Sequence, residues 1–291
     1  MTSRLAKDYW GYFFIAPFLL VFLLFEIYPF VDALYLSLFD YGLGNKEWVG
    51  MANYVSLFKD EVFRRALLNT FLYVAGVVPV TLMFSILAAS LIIHKSAAAA
   101  SFFRASFYLP IIASQVILST TWLWIYNPVN GIANYLLSLL NLGPVTWLSG
   151  SAATALVSVM IVVVTWSVGQ PIILFLAALG NIPPSYYEAA SIDGASVWTQ
   201  FWRITLPLLK PTVLYVVITS TIGAFQTFVA VQLLTGGGPS YGTTTVMYLL
   251  YQTAFQFGKL GLACAMGVIL ASMIFIISII QFRVLKTDVE Y

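Results

Sequence analysis

Long apolar runs alternate along this chain with short polar stretches. Six runs, at about residues 11–31, 67–93, 102–125, 153–179, 206–234 and 260–282, match or exceed the ~20 residues that cross a ~30 Å hydrocarbon layer at ~1.5 Å per residue. None of them alternates with the period of two that a membrane barrel requires. Backbone groups in lipid must be satisfied within the segment, so each run predicts a helix. The fold expected is an all-α integral membrane bundle of six transmembrane helices, a single domain over residues 1–291. Pro17, Pro29, Pro79, Pro110 and Pro171 fall within the runs, where a missing backbone donor kinks a helix. Such kinks point to a cavity or a moving part.

Two of the polar stretches carry structure of their own. In residues 32–65, Tyr54, Leu57 and Phe58, followed by Phe63 and Leu67, recur at helical spacing and predict an amphipathic helix at the outer surface. In residues 181–205, Ser185-Tyr186-Tyr187-Glu188 follows the Pro183-Pro184 break and reads as an S-x-x-E capping box that starts a short helix. Ala189 and Ala190 keep one side of that helix thin, and Gly194, directly after Asp193, is placed to end it. An element this short has too little apolar surface to form a core. It reads as a docking device for a partner outside the membrane rather than as a linker.

Composition supports the membrane assignment: the chain is 61% hydrophobic and 8% charged, against roughly 25% charged for an average soluble domain. Its mean hydropathy is +0.93. Six spans put both termini on one side, and Arg4, Lys7, Lys95, Arg104, Arg203, Lys210, Arg283 and Lys286 fall on that side. The other side holds Lys46, Lys59, Arg64, Arg65 and Lys259, most of them among Asp40, Glu47, Asp60 and Glu61. The positive-inside rule therefore puts the termini and the Glu188 loop in the cytoplasm, with the uncharged segments 127–150 and 236–257 outside. Arg4 and Lys7 before an apolar run imitate a secretory signal, but the run is too long for a signal core and reads as an uncleaved first span.

Chemistry-bearing residues are sparse. His94 and Cys264 are the single histidine and cysteine, so an intrachain disulfide is excluded, and no metal cluster or nucleophile–base pair can be assembled; no metal site is expected. Glu26, near the outer end of span one, is read as meeting water or a neighbouring helix rather than coupling ions. No G-x-x-x-x-G-K-[ST] phosphate loop is present, so this chain is not expected to be an enzyme or to hydrolyse ATP by that route. Residues 236–239, GGGP, read as a tight external turn leaving span five.

The string EAASIDGASVWTQFWRITLP, residues 188–207, resembles the EAA loop of permease subunits in ATP-driven, binding-protein-dependent bacterial importers. Its anchors are Glu188, Ala189, Ala190, Asp193, Gly194, Leu206 and Pro207. The resemblance implies that these form a coupling helix inserted into a groove on a cytoplasmic ATPase, within a type I, MetI-like bundle. Residues 226–255, QTFVAVQLLTGGGPSYGTTTVMYLLYQTAF, resemble the span-five exit of carbohydrate permeases for maltose, lactose and glycerol 3-phosphate. With NYVSLF at residues 53–58, the resemblance covers nearly the whole chain, without the extra N-terminal helices or large external insert of the maltose relative.

What the resemblance implies is an importer subunit in the bacterial cytoplasmic (inner) membrane. Its partners would be a second homologous permease subunit, in a heterodimer, two ATPase subunits carrying ATP and Mg, and an extracytoplasmic sugar-binding protein; no cofactor is held by this chain, and nucleic acid is not a partner. A neutral sugar needs aromatic faces and uncharged amides or hydroxyls. The spans supply such groups in Gln115, Trp122, Trp124, Trp166, Gln170, Ser220, Gly223, Gln226 and Thr227, of which Trp166, Gly223 and the five that the resemblance to the maltose relative assigns to sugar contact, Gln115, Gln170, Ser220, Gln226 and Thr227, make up the expected solute path. Ser220, Gly223 and Thr227 share one helical face. Helix-to-helix hydrogen bonding is the competing use of these side chains. A permease for glycerol 3-phosphate would want basic groups in its cavity, an ion-coupled carrier or channel would want buried ionisable groups, and a membrane scaffold would have no use for the capped helix.

Overall fold

The computed structural model describes residues 2–42 and 44–285, with side chains from Tyr12 onward. The side chains of Arg4, Lys7 and Lys286, used in the charge argument, lie outside the described residues. α1 (Thr2–Phe22) passes through a π-helical turn, Leu23–Ile27, into α2 (Tyr28–Leu36). An antiparallel hairpin, β1 (Phe39–Tyr41) and β2 (Lys46–Trp48), and α3 (Ala52–Lys59) come next. Then follow α4 (Glu61–Ile92), α5 (Ala97–Ile112), α6 (Gln115–Ile125), α7 (Ile132–Leu139), α8 (Ala152–Ser167) and α9 (Gly169–Gly180). The polar stretch contributes α10 (Pro184–Ile192), α11 (Val197–Gln200), a π-helical turn Phe201–Thr205 and the single turn α12 (Leu206–Leu208). The chain closes with α13 (Lys210–Phe225), α14 (Val229–Leu234), α15 (Val246–Tyr251), a π-helical turn Gln252–Gln256 and α16 (Leu260–Leu285).

Three stretches cross a bilayer's thickness without a sharp bend: Tyr12–Leu36, Glu61–Ile92 and Leu260–Leu285. Three more qualify as bent pairs, α5 with α6 at 101°, α8 with α9 at 46°, and Val197–Leu208 with α13 at 67°. The six apolar runs are thus present, but half of them are broken helices. Pro110 precedes the first break and Pro171 follows the second, as expected of residues that cannot complete the helical ladder. The third break, at Leu209, lies between Pro207 and Pro211. The expected unbroken span 206–234 is corrected accordingly: α13 starts after that break and stops at Phe225.

The chain packs as two compact units. The first comprises the chain up to Asp60 and Leu250–Ala271. In it Asn53 Nδ2 donates to the Ser37 and Phe39 carbonyls, at 2.8 Å each, and the hydroxyls of Ser37 and Tyr54 pair at 2.7 Å, tying α3 to the end of α2. Lys46 Nζ lies 5.0 Å from the Tyr35 ring and 5.1 Å from the Phe39 ring, a cation–π contact that closes the hairpin. The amphipathic helix expected in residues 32–65 is therefore α3, with Leu57 buried, whereas Phe63 already belongs to α4. The hairpin before it was not anticipated.

The second unit comprises Glu61–Leu249 and the chain from Ser272 onward. α4 runs through it with an apolar exposed face and a buried face that mixes apolar with polar side chains. Asn69, Thr70, Tyr73, Thr81 and Ser85 are buried, whereas Leu68, Met83, Leu87 and Leu91 are exposed, the arrangement a lipid solvent favours. One apolar cluster joins α4, α6, α8, α14 and α15 around Tyr73, Val77, Tyr126 and Val231. A second joins α4, α5, α9 and α13 around Ala89, Ile172, Phe175 and Val216. Residues 236–239 form the expected turn, with Gly236 and Gly237 at positive φ, but the segment after it folds inward: Thr243, Thr244 and Thr245 are each at most 1% exposed. Their hydroxyls bond to protein oxygens, which removes the cost of burying them.

Candidate functional site: an uncharged cavity at three helix breaks

All seven residues of the expected solute path line one cavity of about 170 Å³ in the second unit. The breaks explain why they converge. Gln115 opens α6 just past the gap at Ala113 and Ser114, with Ser114 Oγ capping the new helix through Ile117 N–H. Trp166 and Ser167 close α8, and Gln170 and Pro171 open α9, on either side of the 46° bend at Val168. Ser220 and Gly223 lie on α13, and Gln226, Thr227 and Phe228 form the gap before α14. Irregular backbone within a membrane protein is tolerated where it lines a cavity, and this cavity receives three such gaps.

The wall contains no Asp, Glu, Lys, Arg or His. Ser167 Oγ donates to the Val163 carbonyl at 2.6 Å and Thr219 Oγ1 to the Tyr215 carbonyl at 2.9 Å, so these hydroxyl protons are spent on their own helices. The other polar side chains differ. Among the described residues, Trp166 Nε1 and Thr227 Oγ1 are buried and without a hydrogen-bond partner. A buried polar group left unpaired costs ~1–3 kcal/mol, a cost that an incoming hydroxyl would relieve. Val77 of α4, Thr219 and Phe228 also line the cavity and were missed from the sequence, the first because an apolar residue in a span carries no signal, the other two because a helical face read through residues 206–234 does not show where the chain turns inward.

The second candidate region is the expected coupling loop. The capping box is not formed: Pro183 occupies the N-cap without a side-chain bond, and Ser185 already lies inside the first turn of α10. Pro184 accounts for this, since its fixed φ suits the first helical position and its missing N–H costs nothing there. The helix end follows the expectation. Gly194 has φ +74°, its N–H donates to the Ser191 carbonyl at 3.1 Å, and Ala195 N–H donates to the Ala190 carbonyl at 2.9 Å, a complete Schellman motif. Gln200 Nε2 then donates to Ser191 Oγ at 3.0 Å, folding α11 back on α10. α10 buries none of its residues, so Glu188, Ala189 and Ala190 stay accessible, as does Asp193 at its C-cap. Beside them Ile192, Val197 and Trp198 are 87%, 83% and 69% exposed, an apolar surface left uncovered within the chain. Glu188 and His94 also line a cavity of about 800 Å³ under the helix, with Tyr187 fixed there by a 3.0 Å bond between its hydroxyl and that of Thr205.

Residues 49–286 match the family described as "Binding-protein-dependent transport system inner membrane component". The chain belongs to this family. It is 35% identical over 284 residues to the probable ABC transporter permease protein YurN of Bacillus subtilis, covering 96% of this chain and 97% of that one. It is 33% identical over 291 residues to the lactose transport system permease protein LacF of Rhizobium radiobacter, covering 97% of each. A chain in the crystal structure of a bacterial alginate ABC transporter, in complex with an alginate pentasaccharide-bound periplasmic protein, superposes with a TM-score of 0.86 at 24% identity, covering 99% of both chains. The fold is thus that of an ABC importer permease, and the chain is a multi-pass membrane protein.

Proposed function

We propose that this chain is one transmembrane half of an ATP-driven importer for a neutral carbohydrate, a mono- or oligosaccharide handed over by an extracytoplasmic binding protein. The observation that carries this reading is the uncharged cavity, where the Gln115, Gln170 and Gln226 amides, the Trp166 indole and the Thr227 hydroxyl gather at three helix breaks. Amides and hydroxyls suit a solute rich in hydroxyl groups, and the aromatic faces of Trp166 and Phe228 suit its apolar ring carbons. A volume of about 170 Å³ falls below the ~300 Å³ at which ligand pockets begin, which supports a half-site completed by a second, homologous permease subunit in a heterodimer.

In this reading the whole chain acts as one permease domain in the bacterial cytoplasmic membrane, with both termini and α10 in the cytoplasm. Two partner ATPase subunits carry the ATP and Mg, and their closure reaches the bundle through Glu188, Ala189, Ala190, Asp193 and Gly194. The solute cavity is then exposed first outward and then inward. A phosphorylated solute such as glycerol 3-phosphate is disfavoured by a wall without a cation, and an ion-coupled mechanism by a wall without an ionisable group. The test is uptake of labelled neutral oligosaccharides into proteoliposomes holding the full transporter. ATP-dependent accumulation that survives collapse of the proton and sodium gradients supports the proposal; uptake that needs a gradient and not ATP overturns it.

A further inference from the structure

The segment that seals the cavity's third break belongs to no expected site. Thr227 lies between α13 and α14, and its carbonyl accepts a 2.8 Å hydrogen bond from Thr245 Oγ1. Thr245 is fully buried, and its hydroxyl also caps α15 by accepting Tyr248 N–H at 3.2 Å. Tyr248 in turn packs its ring 6.2 Å from that of Phe228, the next residue of the cavity wall. The chain from Thr245 to Tyr248 therefore grips the broken helix at two adjacent positions.

That grip is anchored in α4. Asn69 Nδ2 spends both protons on the loop, donating to the Tyr241 carbonyl at 2.8 Å and the Thr244 carbonyl at 2.9 Å. Thr70 Oγ1 accepts Val246 N–H at 3.0 Å while donating to the Ala66 carbonyl. Within the loop, Thr244 Oγ1 donates to the Gly237 carbonyl and Thr243 Oγ1 to the Gly238 carbonyl. Asn69, Thr70, Thr243, Thr244 and Thr245 are all at most 1% exposed. Hydrogen bonds in such a buried setting have defined directions, so the network constrains where the loop stands against α4.

We infer that Thr245, backed by Asn69 and Thr70, is a positioning residue for solute recognition: it holds the Thr227 carbonyl and thereby sets where Gln226, Thr227 and Phe228 stand in the cavity wall. The specificity part of this inference rests on the carbohydrate reading above. Its mechanical part does not.

The experiment uses the full transporter with Thr245→Val, which keeps the shape and deletes the hydroxyl, and Thr245→Ser, which keeps the hydroxyl. Loss of the bond to the Thr227 carbonyl, the one of the two that reaches the cavity wall, predicts a three- to tenfold rise, approximately, in the carbohydrate concentration for half-maximal uptake, with assembly and solute-free ATPase rate unchanged. Thr245→Ser should restore it. In parallel, Gln226→Cys in a Cys264→Ser background is labelled with a neutral maleimide; Thr245→Val should accelerate labelling severalfold, and Thr70→Val, one bond farther from the cavity, should do so more weakly. The Thr70 variant also serves if Thr245→Val fails to insert. Unchanged labelling in both variants overturns the inference whatever the solute is. Faster labelling with half-saturation unmoved, in a transporter that does take up carbohydrate, overturns the recognition role. Faster labelling in a transporter that takes up no carbohydrate at all leaves the mechanical part standing and refutes the carbohydrate reading instead.

Discussion

Gly194 offers the sharpest test of how α10 works. Its φ of +74° lies in the left-handed region, and a Cβ built there would meet nothing within 4 Å. A Cβ at this position therefore clashes with no atom of the chain, and its cost there is one of backbone conformation. That cost is about 1–2 kcal/mol for an ordinary L-residue, enough to shift the loop away from its terminated-helix form by about five- to thirtyfold. Asn tolerates the conformation best, Ala worse, and a β-branched residue worst of all. ATP-dependent uptake into proteoliposomes, normalised to assembled transporter, should then fall in the order Gly, Asn, Ala, Val, with membrane insertion equal for all four. Transport by Gly194→Val at the wild-type rate would refute the reasoning. So would Gly194→Asn as impaired as Gly194→Val, because an effect indifferent to backbone preference would point to bulk on the docking face.

Three further outcomes follow from the second unit. Asn134 on α7 holds the segments on either side of that helix through four bonds, donating to the Pro128 and Val145 carbonyls and accepting from Val145 N–H and Trp147 Nε1–H. At about 1 kcal/mol each, Asn134→Ala should lower the unfolding midpoint in detergent by several degrees while leaving half-saturation for uptake unchanged. Trp166→Phe removes a buried N–H that has no partner among the described residues, so it should stabilise the solute-free protein while weakening uptake affinity; stabilisation with unaltered affinity would show that the indole N–H does not meet solute. Gln170→Glu is nearly isosteric and puts a carboxyl in the uncharged wall; uptake should fall at neutral pH and recover, relative to wild type, as the pH drops and the group is neutralised.

The large features of this molecule are legible because lipid leaves little freedom: a run of about 20 apolar residues with no period of two has few folds open to it. Local interruptions are less legible. The bends beside Pro110 and Pro171 announce themselves, but the end of α13 at Phe225 carries no proline, and only the threonines and glycines that follow hint that the chain turns inward. Those same residues, uncharged and rich in turn formers, look like an outer loop; what the sequence does not display is that each threonine hydroxyl finds a protein oxygen and so tolerates burial. The hairpin at residues 39–48 escaped notice because its strands are three residues long, too short for an alternating pattern. The solute-path residues were reachable by resemblance, and their common cavity only by folding. At α10 the glycine end was readable and the capping box was not, because Pro184 and Ser185 compete to start the helix and proline's fixed φ prevails.

Recovery of partners from native membranes in mild detergent tests the central claim most directly, comparing the wild-type chain with a Glu188→Lys, Gly194→Val variant. The account predicts that a homologous permease and an ATPase accompany the wild-type chain, and that the ATPase alone is lost from the variant. Recovery of both forms without an ATPase or a second permease would contradict it and point to a self-sufficient carrier or channel.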